Sequence, residues 1–430
     1  MACDRRSGVA TIRLAVRDPY VPLADYAVIG DGRTAALVSR DGSVDWWCLP
    51  NLDSPSVFGA ILDADRGGRW VLSPEDAAQI DRHYLPDTNL LETTYSTPTG
   101  RVRVTDVMTL PGGGLTPFRE LARCVDGLAG RVTMRWRLEP RFGYGIARTR
   151  IEPRTPCPVA TSGNSAMATC VRGTGNVEIE DGAIGGRFEA RAGTRSTLAA
   201  VAAHGEPLVF PSRDDVEGRI EATAAFWRDW SARLDYRGPW RDAVVCSALA
   251  LKLLVFAPSG AIAAAPTTSL PEAIGSERNW DYRFSWIRDS AFTLESLLQL
   301  GCHTEARAFF WWFMHATQRT LPRLHALYRL DGASHMPERT LPLAGYRDSR
   351  PSVSATLPPR SCSSTPTASS WRRSINTPAG ATPSLSHGAC TRILPLRAWA
   401  SRRSGPENRA TTSSAHPWTC DTLRAAARLD

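Results

Sequence analysis

The sequence lacks the regular cysteine and histidine patterns of metal-binding or disulfide-rich proteins. Its ten Cys and eight His are scattered over 430 residues, with no C-x-x-C pair, no H-E-x-x-H and no Cys/His ligand spacing. We therefore expect reduced, mostly buried thiols and no metal. A P-loop, a dinucleotide fingerprint and a G-x-S-x-G nucleophile elbow are absent as well, so no cofactor is expected.

Long apolar runs are lacking too. Arg and Asp interrupt the first twenty residues before an apolar stretch could form a signal-peptide core, and no segment reaches the length of a transmembrane helix. We therefore expect a cytoplasmic protein with no membrane partner. With 43% hydrophobic and 22% charged residues, the composition is that of a folded protein long enough for two domains.

Lysine occurs once, at Lys252, and the net charge of +8 is unevenly distributed. Residues 351–430 contain ten Arg and three acids, so this tail carries +7 of the total. A basic tail is one way to bind nucleic acid or an anionic membrane. These arginines have no regular spacing and are not interleaved with aromatic residues, so no nucleic-acid partner is expected.

Two periodicities divide the chain. As far as about residue 211 the pattern predicts strands: the segment from Thr34 to Cys48 reads as two apolar runs joined at the turn pair Asp41-Gly42, and apolar residues alternate with polar ones from Val132 to Leu138. This pattern is typical of an antiparallel β-sandwich.

From about Asp214 the apolar spacing becomes helical. One helix is predicted from Asp214 to Arg233, and a later one is expected to end at Gly301. The next is predicted to be capped by Thr304 and to continue through the aromatic run 309–313. We expect this last helix to be packed on most sides because its aromatic residues occupy adjacent positions.

The strongest candidate site is the segment 279–290, Asn-Trp-Asp-Tyr-Arg-Phe-Ser-Trp-Ile-Arg-Asp-Ser, which follows Ala-Pro-Thr-Thr-Ser-Leu-Pro-Glu at 265–272. Sugar sites combine such groups, since carboxylates and guanidinium groups bind hydroxyls while indole rings cover the apolar face of a pyranose. The alternative is a structural Arg–Asp network beside core tryptophans. Residue types alone favour neither interpretation.

This segment closely resembles the first conserved site block of glycoside hydrolase family 15. The stretch 26–46 with 53–58 resembles the start of that family's bacterial N-terminal β-domain, and the resemblance covers roughly residues 22–351. It implies a β-sandwich followed by an (α/α)6 toroid. It also implies that Trp286, Arg288 and Asp289 bind the glucosyl ring nearest the scissile bond, that Tyr282 is a further site aromatic, and that Arg350 begins another site block.

The resemblance further implies inverting hydrolysis of an α-glucosidic bond, in trehalose or short α-glucans. Two carboxyl groups carry out that reaction, one as general acid and one as general base. Nothing after Pro351 matches the family's catalytic glutamates, and Glu407 lacks their surroundings. The catalytic residues therefore remain unassigned, and we expect an inactive, truncated hydrolase with a small carbohydrate ligand. The alternative is a non-catalytic carbohydrate-binding or remnant protein.

The tail, 352–430, has no Phe or Tyr and no sustained periodicity, so we expect it to be disordered. A frameshift close to Pro351 is our hypothesis for its origin. With suitable codons, residues 352–370 translate in a neighbouring frame into a stretch that resembles the family's next conserved block. The expected organisation is an N-terminal extension (1–21), a β-sandwich (22–212), the first part of a toroid (213–351) and the tail.

Overall fold

The computed structural model describes residues 20–110, 119–322 and 324–355, and the rest of the predicted tail lies outside these ranges. Antiparallel strands come first and helices follow, as the periodicities predict. The strands of the first part are β1 Tyr26–Gly30, β2 Ala35–Ser39, β3 Ser43–Cys48, β4 Ser56–Phe58, β5 Arg69–Pro74, β6 Gln79–Tyr84, β7 Leu91–Thr97, β8 Gly100–Thr109, β9 Arg119–Glu139, β10 Arg150–Glu152, β11 Val159–Ser162, β12 Ser165–Arg172, β13 Glu178–Glu180, β14 Ala183–Arg191 and β15 Arg195–His204.

The long strand β9 joins two layers of the β-domain. Its first half pairs with β8 and β15, and its second half pairs with β5 and β14. Apolar side chains from both layers form one buried core, to which Trp47 and Trp70 contribute from one layer and Leu91 and Val102 from the other. The predicted alternation is confirmed in β9, where the side chains at positions 132, 134, 136 and 138 are buried and those between them are not.

The turn between β2 and β3 confirms the predicted Asp41-Gly42 hairpin. Gly42 has a φ of +88°, in the left-handed region that favours glycine. A Cβ atom at this position would lie 2.3 Å from the carbonyl oxygen of Leu72. The residue is therefore required both by the backbone conformation and by the close approach of β5.

Gly42→Ala is expected to lower the free energy of unfolding by about 3 kcal/mol, since the left-handed strain and the contact with Leu72 add. Gly193→Ala is the matched control, because Gly193 has a φ of +79° and no atom lies within 4 Å of its added Cβ. That variant should lose only about 1 kcal/mol. Equal losses in denaturant titrations would show that the hairpin relaxes around the methyl group.

The expectation of reduced thiols throughout is wrong for one pair. Cys157 and Cys170 form a disulfide, with their Cα atoms 5.1 Å apart. Both lie in a small apolar cluster with Val159 and Ala168. Pairing of β11 with β12 brings these segments together, and a spacing of 13 residues gives no local motif for it. The prediction is confirmed for Cys48, Cys124 and Cys302, which are buried thiols.

The second part contains helices with short strands between them. They are α1 Arg213–Ala232, α2 Arg241–Leu253, α3 Ile287–Gln299 and α4 His303–Gln318, with β16 Ser285–Trp286, β17 Leu327–Tyr328, β18 Arg339–Leu341 and β19 Ser352–Ser354. The side chain of Ser212 and that of Asp215 form a capping box at the start of α1. The prediction that Thr304 caps α4 is wrong, because Cys302 occupies the N-cap position and Thr304 lies within the first turn. No described helix is long and apolar enough to span a membrane.

The aromatic run of α4 is buried on one side only. Phe309, Trp312 and Phe313 are buried, but Trp311 is 66% exposed. On α3, Leu294 and Leu297 are buried. The expectation that α4 is packed on most sides is therefore wrong for the side that carries Trp311.

Glu305 links three helices. Its carboxylate accepts hydrogen bonds from Lys252 Nζ of α2 at 2.8 Å and from the indole of Trp230 of α1 at 2.9 Å. Burial raises the pKa of Glu305, but Lys252 and the hydrogen bond from Trp230 outweigh that effect, so its pKa lies below the ordinary 4.5. The ion pair therefore stabilises the folded state when Glu305 is charged.

Glu305→Gln is expected to cost about 2 kcal/mol at neutral pH, because the amide loses the charge-assisted bond to Lys252. A lowered folded pKa gives stability that is present above pH 4.5 and disappears as pH falls through the folded value. The difference in the free energy of unfolding between wild type and variant should therefore become smaller in acid. Glu217→Gln is the control, because it removes the ion pair of Glu217 with Arg213 in α1, which is also 2.8 Å long but joins more exposed side chains. This variant should cost about 0.5 kcal/mol. A Glu305 effect no larger than this would contradict the prediction.

Candidate functional site

The candidate site lies where β16 ends and α3 begins. Trp286 is the N-cap residue of α3, and Arg288 and Asp289 follow in its first turn. The backbone N–H of Ile287 donates to the carbonyl of Ala326, and β16 pairs with β17. A first-turn carboxylate is favoured at a helix N-terminus, because the unpaired N–H groups there carry partial positive charge. The junction therefore presents an acid, a guanidinium and an indole within four residues.

The side chains predicted from this segment lie together. Arg288 Nη2 is 3.0 Å from Asp289 Oδ2. The Arg288 guanidinium is also 5.9 Å from the ring centre of Trp286. The Tyr282 ring lies 5.7 Å from the Trp286 ring and is tilted by 41°. Trp286 is buried, while Arg288 is half exposed.

Two acids lie close enough to Tyr282 for their charges to raise the pKa of its hydroxyl. Burial, and then the negative charges of Glu272 and Asp289, raise the pKa of the Tyr282 hydroxyl above its ordinary value. The hydroxyl therefore remains protonated and can donate a hydrogen bond at any physiological pH. Glu272 also accepts a hydrogen bond from the indole of Trp280 at 3.3 Å. Sequence reasoning did not assign Glu272 or Trp280 to the site, although both belong to the two segments that it singled out.

Arg350 is held in place through the backbone of its two neighbours. Its side chain is exposed, and the backbone on either side is bound by one buried amide. Asn279 Nδ2 donates to the carbonyls of Ser349 and Pro351, at 3.2 and 3.0 Å. The segment that carries Arg350 is thus fixed against the start of the 279–290 segment. Asn279 belongs to the segment that the sequence singles out, but no role was assigned to it.

The remaining charged residues of the segment form a buried pair. Arg283 does not contact Asp289, and instead both its Nε and Nη2 donate to Asp281, at 2.9 and 2.6 Å. Burial opposes the charge of Arg283, but Asp281 outweighs this and raises the pKa of the guanidinium well above its ordinary value. One half of the segment therefore fits the structural Arg–Asp network, and the other half presents partly exposed groups suited to a ligand.

The β-domain packs directly against the loop that leads to this site. The Trp46 indole N–H donates to the carbonyl of Pro266 at 2.8 Å. Trp46 also belongs to an apolar cluster with Leu270, Leu341 and Tyr346. The site segment is therefore supported from both the β-domain and the chain after α4.

Comparisons with known proteins place this architecture in a family. Residues 16–184 match the model of the trehalase-like N-terminal domain, and residues 238–355 match that of glycosyl hydrolases family 15. The chain belongs to glycosyl hydrolase family 15. The second match includes all five predicted site residues and extends to Ala355, which is four residues beyond Pro351.

Relatives of this family member are trehalases. A trehalase of Mycolicibacterium smegmatis is 37% identical over 369 residues, which are 78% of this chain and 54% of that protein. A trehalase of Thermoplasma volcanium is 34% identical over 346 residues, which are 77% of this chain and 53% of that protein. The chain thus spans about half the length of these relatives. A bacterial glucoamylase structure complexed with acarbose covers 77% of the chain at 11% identity and a TM-score of 0.46.

Proposed function

We propose that this chain binds an α-linked glucose disaccharide, trehalose in the first place, at the start of α3. The observation that carries the proposal is the grouping of the Trp286 indole with the Arg288–Asp289 pair, 3.0 Å long, inside the segment that matches the family. In this proposal Asp289 and Arg288 bind sugar hydroxyls and Trp286 covers an apolar sugar face. Tyr282 donates a hydrogen bond, and Arg350 contributes from the neighbouring segment.

The proposed lineage is that of inverting α-glucosidases of the trehalase type. In such a reaction one carboxylic acid protonates the leaving oxygen and a second carboxylate activates water, with the two groups roughly 6.5–9.5 Å apart. We propose that this chain lacks that pair, since its residues after Pro351 resemble neither motif, and that a frameshift replaced them. The bound sugar would then remain uncleaved, which is also the outcome for a non-catalytic carbohydrate-binding protein.

The proposed domain division places the β-sandwich at 22–212 and the first part of an (α/α)6 toroid at 213–351, before the tail at 352–430. The capping box of Ser212 supports a boundary immediately before α1. Expression of residues 20–212 alone tests this division, because an independent β-domain should melt cooperatively. The proposed location is the cytoplasm, where a disulfide such as Cys157–Cys170 is uncommon, and cell fractionation tests it.

Calorimetric titration of the 430-residue protein with trehalose, maltose and isomaltose tests the binding proposal. Saturable heat with trehalose, and weaker heat with the other two, is the expected result. A protein that folds but gives no heat with any of the three sugars would contradict the proposed function.

A further inference from the structure

The buried pair of Asp281 and Arg283 contacts two parts of the molecule at once. Both side chains are completely inaccessible to solvent. On the side of the β-domain, Arg283 Nη1 donates to the carbonyl of Ser54 at 2.6 Å and to Cys48 Sγ at 3.5 Å. The same guanidinium lies 5.9 Å from the ring centre of Trp46. All three partners belong to the β-domain.

The other member of the pair contacts the site segment. The backbone carbonyl of Asp281 accepts the Trp286 indole N–H at 3.3 Å. Its carboxylate accepts the backbone N–H of Ala355 at 3.0 Å. The backbone of Asp281 also forms an isolated antiparallel bridge with Thr268. Asp281 is therefore bonded both to the candidate sugar-stacking indole and to the segment that follows Arg350.

Stability alone is a poor explanation for such a pair. Removing two charges from water costs several kcal/mol per ion, and apolar residues of similar volume often serve a fold equally well. A fork of two parallel hydrogen bonds does, however, fix orientation more closely than apolar packing does. Arg283 is bonded to Ser54 of the β-domain, and Asp281 is bonded to the indole of Trp286. The fixed orientation of the pair therefore also fixes the position of this indole relative to the β-domain.

We propose that Asp281 and Arg283 form a positioning pair that sets the Trp286–Asp289 subsite by tying it to the β-domain. This inference rests on the proposed function for its ligand, but not for its geometry. Neither residue needs to touch the sugar. The β-domain is thereby a part of the binding site's support, since Ser54 and Cys48 lie more than two hundred residues before Arg283 in the chain.

The chain contains a matched control pair. Arg123 and Asp106 are buried to the same extent, at 0% and 1% exposure, and are 2.7 Å apart. Arg123 also donates to a backbone carbonyl, that of Trp70 at 3.0 Å, and lies 5.2 Å from the Trp70 ring centre. Its partners lie within the β-domain core, so this pair has the chemistry of the first without its contact to the site segment.

The experiment compares two double variants of the full chain, Asp281→Asn/Arg283→Met and Asp106→Asn/Arg123→Met. Both replacements remove a whole pair, so neither leaves one buried charge alone. Hydrogen exchange is measured for the peptide 284–290, and trehalose binding is measured by calorimetry. The first variant should exchange about tenfold faster in that peptide and bind trehalose about tenfold more weakly. The second variant should bind trehalose as the wild type does. Its exchange in peptide 284–290 should rise only as far as its loss of global stability requires.

Equal exchange of peptide 284–290 in the two variants, at equal melting temperature, would overturn the proposal. If the double variants do not fold, the comparison is repeated with Arg283→Lys and Arg123→Lys. Lysine keeps the positive charge but cannot form the two parallel hydrogen bonds of the guanidinium. Absence of trehalose binding by the wild type would count against the proposed function alone, since the exchange measurement needs no sugar and still decides whether the pair positions the segment.

Discussion

Asp289→Ala is expected to weaken trehalose binding by roughly a hundredfold, as measured by calorimetry on the full chain. A hydrogen bond to a charged group contributes about 1.5–3 kcal/mol, and its removal leaves both the sugar hydroxyl and Arg288 without their partner in a partly buried site. The Asp289 side chain is only 12% exposed and lies 3.0 Å from Arg288. Water therefore has limited access to replace the lost carboxylate.

A control must separate the loss of a ligand contact from the loss of a helix-terminal charge. Asp242 serves this purpose, since it lies in the first turn of α2, whose N-cap is also a tryptophan without a side-chain capping bond, Trp240. Asp242→Ala should lose about 0.5 kcal/mol of stability, as Asp289→Ala does through the same helix-dipole effect, and should bind trehalose normally. Similar binding by both variants would show that Asp289 is not a ligand.

The sequence was sufficient to predict the order of the architecture. Alternation along 132–138 predicted a half-buried strand, and the structure places these residues in the second half of β9. Asp41-Gly42 predicted a hairpin because few residue pairs adopt that turn. Such local signals are strong since backbone conformation and side-chain direction are determined within a few residues.

The features that the sequence did not predict depend on distant partners. Arg283 and Arg288 lie in the same short motif, yet one is fully buried against Ser54 and the other is half exposed. Their difference is set by β-domain residues that no local pattern identifies. The same holds for Trp311, whose exposure follows from how α4 packs as a whole, and for the disulfide of Cys157 and Cys170. Fold class was therefore more predictable than the separation of binding residues from supporting ones.

Hydrolysis should distinguish the chain from its reading-frame-restored form. We expect no glucose from trehalose with the 430-residue protein, because in our proposal it lacks both the general acid and the general base, and each such group contributes about 10²–10⁴-fold to the rate. A gene whose frame is restored close to Pro351 should encode a protein that releases glucose from trehalose. In that protein Asp289→Ala should reduce kcat/KM by roughly a hundredfold, whereas Asp242→Ala should not. Trehalose hydrolysis by the 430-residue protein itself would contradict the proposed loss of the catalytic pair, and a restored protein inactive on trehalose, maltose and isomaltose would contradict the proposed lineage.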